Sequence, residues 1–262
     1  WKRIRPLMRK QNPLPPLEIP AGRTLVISDL SFSYEDGVPT FSGLSLTAQP
    51  GQIIGITGSV ACGKSTLGRT FLCEAPYTGS IRWGNQELRT LSPRDISATV
   101  GYLGHDPELW NDTVEANVLC GDDGRAMDYL KRTCLDGEVN DMEAGMQTVV
   151  GSGAVRLSGG QAQRLALART LAHPRPLLVL DDPFSALDRD TEDAIFEALK
   201  QSSPGSILFL ISHRLYHFPE LDKVVFMDGG KVTVGTHQEL LASCPGYRTL
   251  YESQTGGKRH EA

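Results

Sequence analysis

The chain has 262 residues, 40% of them hydrophobic and 22% charged, with a net charge of -5. That length accommodates one large domain or a core with a subdomain, and the acidic balance argues against a nucleic-acid binder that works through overall charge. No apolar run approaches the roughly 18 residues that crossing a bilayer requires, and no signal peptide opens the sequence. Five scattered cysteines (Cys62, Cys73, Cys120, Cys134 and Cys244) form no CxxC pair and no metal spacing. They read as reduced thiols in a cytosolic setting.

In chain order, the sequence begins at Trp1 and is expected to continue upstream in a larger protein. Lys2, Arg3, Arg5, Arg9 and Lys10 cluster before a run broken by Pro13, Pro15, Pro16 and Pro20. A solvated linker and the cytosolic end of a membrane segment both fit residues 1–22, and composition favours the linker. From Leu25 to about Gln49, short alternating stretches predict strands. Four almost wholly apolar runs follow: Ile53–Ile56, Leu177–Leu180, Ile207–Ile211 and Val224–Met227. They suit strands buried on both faces of a parallel sheet. Helices are predicted after Lys64, from about Gly160 to Ala172, and over TEDAIFEALK, where Ala194, Ile195, Ala198 and Leu199 share a face. The stretch from about Pro107 to Ala154 reads as a helical subdomain without buried strands. No internal repeat is visible, and residues 256–262 read as a polar tail.

GSVACGKST starts at Gly58, directly after a predicted strand and at the start of a helix. It fits GxxxxGK[ST] in the context that gives the pattern meaning. Gly58 and Gly63 permit turns and close backbone approach. The amides of Ser59, Val60, Ala61 and Cys62 and the helix start then direct partial positive charge at phosphates. Lys64 adds a point charge for the β- and γ-phosphates. The Ser65 hydroxyl is a hard oxygen donor suited to Mg²⁺, and Thr66 completes the motif. LLVLDD supplies the complement, with Asp181 ending a buried strand where open α/β sheets bind ligands. Asp181 is expected to hold Mg²⁺ through water.

The stretch LSGGQ at Leu157–Gln161 narrows the class. With the phosphate loop and LLVLDDP, the chain resembles the ABC ATPase family from about Arg23 to Ser253. Further marks fall in the family's order. FSY ends at Tyr34, SALD spans Ser185–Asp188, ISHRL contains His213, and ALART follows the signature. GYLGHDPELWNDTVEANV and GTHQELL look most like the exporter branch. The resemblance implies an α/β P-loop NTPase (RecA-like) core over about 23–104 and 165–255, with an antiparallel β subdomain and a helical, signature-bearing subdomain over about 105–164. It implies Mg-ATP as the ligand, with Tyr34 stacked on adenine and His213 as the switch histidine. It also implies that Ser158, Gly159, Gly160 and Gln161 face a partner's nucleotide, so that ATP is sandwiched between two chains. The other partner implied is a transmembrane domain, which places the chain at the cytoplasmic face of a cell membrane. Trp110 and Asn111 fall where the family meets that domain, although an aromatic there equally suits subdomain core.

Two positions depart from the family pattern. Asp182 stands where the family places a glutamate as general base, and His105 stands at the Q-loop glutamine. A base must lie within about 2.6–3.2 Å of its proton or act through one water, and losing that help costs about 10²–10⁴ in rate. Imidazole is also a poorer magnesium partner than oxygen, though His105 remains a candidate metal contact through water. Ser152 stands where exporters often have a glutamate. Slow hydrolysis at the chain's own site is therefore expected, together with an intact signature lent to a non-identical partner. The alternatives are a nucleotide-gated regulatory clamp and a soluble, non-transport ABC protein.

Overall fold

The computed structural model describes residues 23–34, 37–151, 153–202 and 205–255. The readings made for residues 1–22, 256–262 and Ser152 lie outside them.

Strands β1 (Leu25–Ser33) and β2 (Pro39–Ala48) pair antiparallel, as their alternation predicts. The alternation slips at Asp29, where φ is 49° and the register shifts between Ile27 and Leu30. Such a slip is the mark of a bulge, which re-aims the side chains beyond it. β3 (Ile53–Gly58) leads through the phosphate loop into α1 (Lys64–Thr70). β4 (Thr78–Trp83) and β5 (Gln86–Glu87) extend the antiparallel edge beyond β1. Ser92 caps α2 (Pro93–Thr99) by accepting from Asp95 N, and Pro93 sits at the first helical position, where its missing N–H costs nothing. β6 (Val100–Leu103) follows at once.

The next stretch is mainly helical. β7 (Asp112–Thr113) runs into α3 (Val114–Leu119), α4 (Ala126–Arg132) and α5 (Asp136–Asn140), and β8 (Val149–Val150) returns to pair with β7. This short ladder adds two two-residue strands, only Val150 of them buried, to a segment expected to be helical without buried strands. Its physical basis is Gly151, whose φ of 112° turns the chain where any Cβ would press within 3.0 Å of Trp110 O and Asn111 Cα. α6 (Gly159–Ala172) closes the stretch and packs against α3 and α4. A hydrophobic core of its own joins Val114, Val118, Leu130, Val139 and Val150 to Leu165 and Ala168 on α6.

β9 (Leu177–Asp181), α7 (Arg189–Ser202), β10 (Ile207–Ile211), β11 (Lys223–Asp228), β12 (Lys231–Gly235), α8 (His237–Ser243) and α9 (Pro245–Thr255) complete the chain. Ten strands form one sheet in the order β5-β4-β1-β2-β12-β11-β3-β10-β9-β6. The four apolar runs are neighbours within it: β11, β3, β10 and β9 lie parallel, and every residue of β9 and β10 is buried. β6 adds a parallel edge that the sequence pattern had not marked. The buried face of α7 keeps Ile195 and Leu199 as expected but is shifted at its edge. Glu192, Ile195, Phe196 and Leu199 turn inward while Ala194 is exposed. The larger Phe196 wins the core position by stacking on His217 at 4.0 Å.

The register of the parallel strands fixes where the chemistry emerges. Ile56 lies opposite Ile211, and Ile211 lies opposite Asp181. The carboxyl ends of β3, β9 and β10 therefore open side by side.

Candidate nucleotide site

The phosphate loop is held in a shape that most side chains would forbid. Gly58 has φ 151°, and a Cβ there would lie 1.9 Å from Met227 O. Gly63 has φ 95° and serves as the N-cap of α1 with no side-chain cap, leaving the first amides of the helix uncapped by it. Ala61 occupies the left-handed region at φ 61° without being glycine. Lys64 curls over this loop, donating to Ser59 O at 2.8 Å and Gly58 O at 3.2 Å. Its ammonium also lies 3.7 Å from Cys62 Sγ. Cys62 is buried, 9% exposed, which favours the reading that it is a small residue fitted to the loop. Val60, by contrast, stands 96% exposed at the loop's tip.

Tyr34 stands at the mouth, 60% exposed. Its ring meets Phe32 edge-on at 4.9 Å, and its hydroxyl shares a hydrogen bond with Thr66 Oγ1 at 3.1 Å. A hollow of about 400 Å³ lies among Tyr34, Thr40, Ala61, Lys64, Ser65 and Thr66. One face of an aromatic ring, a run of backbone amides and an ammonium thus line a single concavity.

Asp181 ends β9 and is 4% exposed. Tyr102 on β6 donates its hydroxyl to Asp181 Oδ2 at 3.2 Å. Burial, reinforced by the Asp181 charge, pushes the Tyr102 phenol well above its usual range, so it remains a donor. Asp182 follows with φ 53°, a region that aspartate tolerates better than most residues. Its amide donates to Ile211 O at 2.8 Å, tying it to β10. Its Oδ2 lies 2.9 Å from His213 Nδ1 and 3.7 Å from His105 Nδ1, while Oδ1 is buried without a hydrogen-bond partner. The structure thus brings Asp182, His213 and His105 together, with His105 facing Asp182. Asp188 caps the start of α7, accepting from the Thr191 amide at 3.0 Å and from its hydroxyl at 2.8 Å. Those bonds hold the Asp188 carboxyl below its usual range.

The signature residues form a separate surface. Ser158 caps α6 in a reciprocal box: Gln161 N donates to Ser158 Oγ at 3.2 Å, and Ser158 N donates to Gln161 Oε1 at 2.9 Å. Ser158 and Gly159 are exposed, and a Cβ on Gly160 would lie 2.9 Å from Ala186 O. Trp110 is 52% exposed and so is not subdomain core. The Asn117 carboxamide grips both its backbone N and O, and Arg169 lies over its ring at 5.0 Å. Asp222, exposed to solvent, caps the start of β3 by accepting from Ile53 N at 2.8 Å. Sequence reasoning had passed over Tyr102, Asn117 and Glu138. Glu138 meets Gln161 and Arg164, and no local pattern marks it.

A parallel sheet with a glycine-bounded loop after one strand and an acid ending a second defines a P-loop NTPase. The ABC transporter family matches residues 41–185, and the chain belongs to it. It is 32% identical over 250 residues to the probable multidrug resistance ABC transporter ATP-binding/permease protein YheI of Bacillus subtilis, covering 93% of this chain and 43% of that protein. An ATP-dependent lipid A-core flippase of Saccharophagus degradans is 34% identical over 244 residues, covering 91% of this chain and 42% of its own length. Among solved structures, a bacterial Atm1-family ABC exporter with ATP bound superposes with a TM-score of 0.84 at 27% identity, over 94% of this chain and 44% of that one. The chain thus spans less than half the length of these relatives. No helix among the described residues is long and apolar enough to cross a membrane.

Proposed function

We propose that the chain is the ATP-binding and ATP-hydrolysing domain of an ABC exporter, with a slow site of its own. It would act at the cytoplasmic face of a membrane, beside a transmembrane domain and a second, non-identical ABC ATPase domain. The observation that supports this most is the convergence of the phosphate loop, Asp181, Asp182 and His213 at the ends of three neighbouring parallel strands. Phosphates would take the loop amides, and Lys64 would exchange the carbonyls of Gly58 and Ser59 for phosphate oxygens. Tyr34 offers an open ring face for adenine. Ser65 and Asp181 are hard oxygen donors suited to Mg²⁺. Among the described residues no three His, Cys, Asp or Glu side chains group as a metal site. Magnesium keeps several waters and phosphate oxygens around few protein ligands, so two oxygen donors suffice. Magnesium would supply neutralisation of charge on the phosphates.

Slow turnover is proposed because Asp182 is one methylene shorter than glutamate and its Oδ2 is engaged by His213. A base already accepting a hydrogen bond must share that oxygen to take a proton from water. Ser158–Gln161 keep an intact, exposed helix start, suited to completing a partner's site. The test is Asp182→Glu in the intact complex. Turnover is expected to rise about tenfold or more at unchanged Mg-ATP affinity, a partial recovery of the about 10²–10⁴ that acid–base help supplies. An unchanged rate in a stably folded variant would overturn the assignment of the deficit to this residue. In mixed complexes, activity that dies with Asp182→Asn yet survives loss of the partner's base would overturn the asymmetry. The pairing of Asp182 with His213 also favours a second reading, a clamp that closes on ATP without turnover. Under that reading Asp182→Glu closes on nucleotide and still fails to hydrolyse it.

A further inference from the structure

Glu138 lies on α5, away from the phosphate loop, yet two residues of the signature helix engage its carboxylate. Gln161 Nε2 donates to Oε2 at 2.6 Å and Arg164 donates to Oε1 at 2.5 Å. Arg164, only 12% exposed, also donates to Cys134 O, just before α5, and to Gly160 O. Burial works against the Glu138 charge, but the hydrogen bonds from Gln161 and Arg164 outweigh it and hold the carboxyl below its usual range.

The geometry of a carboxamide explains the need for this residue. Closing the capping box commits Gln161 Oε1 to Ser158 N. Nε2 then points away from the cap and requires an acceptor, since a carboxamide presents donors and acceptor on opposite arms. Glu138 supplies that acceptor, and Arg164 fixes Glu138 in place. Without it, Gln161 Nε2 loses the protein partner that fixes the orientation of its side chain. We infer that Glu138 is a positioning residue for the signature, holding the Ser158–Gly160 turn in shape through Gln161. The inference rests on the reading that this turn completes the partner's nucleotide site.

The experiment uses mixed dimers of the intact transporter. Lys64→Ala in this chain silences its own site, so turnover reports the partner's site. Replacing the partner's phosphate-loop lysine reports this chain's site instead. In the first arrangement Glu138→Ala is expected to lower kcat about tenfold, the scale of one charge-assisted hydrogen bond, with KM for ATP held within twofold. Glu138→Gln keeps an acceptor and is expected to restore most of the rate. In the second arrangement Glu138→Ala leaves turnover within twofold. A double variant with Gln161→Leu should lose no more than Gln161→Leu alone, since both act through one side chain. If the alanine variant does not accumulate, Glu138→Leu, which keeps the stem, takes its place. Equal losses in both arrangements, or no loss in the first, overturn the inference. Ser158→Arg separates the two levels. If it impairs only this chain's own site, the reading of a shared site fails. If it impairs the partner's site while Glu138→Ala does not, only the role of Glu138 fails.

Discussion

Tyr102→Phe removes the hydroxyl that β6 donates to the Asp181 carboxylate and that also meets Arg69. The phenylalanine keeps the ring, which lies within 3.1 Å of where a Cβ on Gly68 would stand, so packing against α1 survives. What is lost is a hydroxyl 3.2 Å from Asp181 Oδ2. Asp181 is 4% exposed, so water replaces that donor poorly. Leaving a buried acceptor short of a partner costs about 1–3 kcal/mol. For a chain of this size, about 1 kcal/mol moves Tm by about 2–4 °C. The nucleotide-free variant is therefore expected to melt about 2–12 °C lower, read by circular dichroism or calorimetry. Burial holds the Tyr102 phenol far above neutral, so the difference persists unchanged from pH 7 to pH 9. Adding Mg-ATP is expected to narrow the gap, because a bound cation gives the carboxylate a new partner. A variant that melts within 1 °C of wild type would refute the reasoning, since the hydroxyl would then contribute about 0.5 kcal/mol or less to holding Asp181. A gap that widens with Mg-ATP would refute the part that assigns Asp181 to the cation.

Three further outcomes are expected. Tyr34→Ala should weaken ATP binding by about 1–3 kcal/mol, the scale of base–aromatic stacking, while GTP and ATP remain close in affinity; isothermal calorimetry reads both. Cys62 should react with maleimide more slowly than Cys73, Cys120 and Cys134, which are less buried, and mass spectrometry of partly labelled protein ranks them. Faster labelling of Cys62 would mean that the loop opens in solution. The Glu138 carboxyl is held below its usual value, so its stabilising contribution is complete above the ordinary pKa of 4.5 and is lost as pH falls through the lower folded value. The Tm gap between wild type and Glu138→Gln should accordingly be constant from pH 8 to pH 5 and shrink below about pH 4. A gap that grows on acidification would contradict the ion pair with Arg164.

What was legible in the sequence is what lies close together along the chain. The phosphate loop spans a few residues between a strand and a helix, so spacing exposes it, and LSGGQ at Leu157–Gln161 was legible through its resemblance to the family. The four apolar runs were legible because strands buried on both faces admit only apolar residues. β6 escaped because it lies at the edge, where VGYL is half-buried and interrupted by glycine. β7 and β8 escaped because two-residue strands have no period to detect. For α7 the helix and two inward residues, Ile195 and Leu199, were legible, but the edge of that face was not, since alanines are indifferent and the choice fell to Phe196 meeting His217 from another segment.

The contacts that tune the site were hidden for the same reason. Tyr102 and Asp181 are 79 residues apart, His213 and Asp182 are 31 apart, and Gln161 and Glu138 are 23 apart. Each depends on strand register or on helix docking rather than on a motif. The substitution at position 182 shows why this matters. Read along the chain, Asp182 differs from the family's glutamate by one methylene. In the fold it also sits at φ 53°, a backbone shape suited to aspartate, with one carboxylate oxygen engaged by His213 and the other buried. Backbone, neighbour and side-chain length thus bear on the same carboxylate. Restoring the methylene alone tests only the third of them. A rate gain from Asp182→Glu that becomes larger when His213 is kept than when it is replaced by alanine would show that the histidine orients the base. A larger gain in the alanine background would show that it withholds the carboxylate from water.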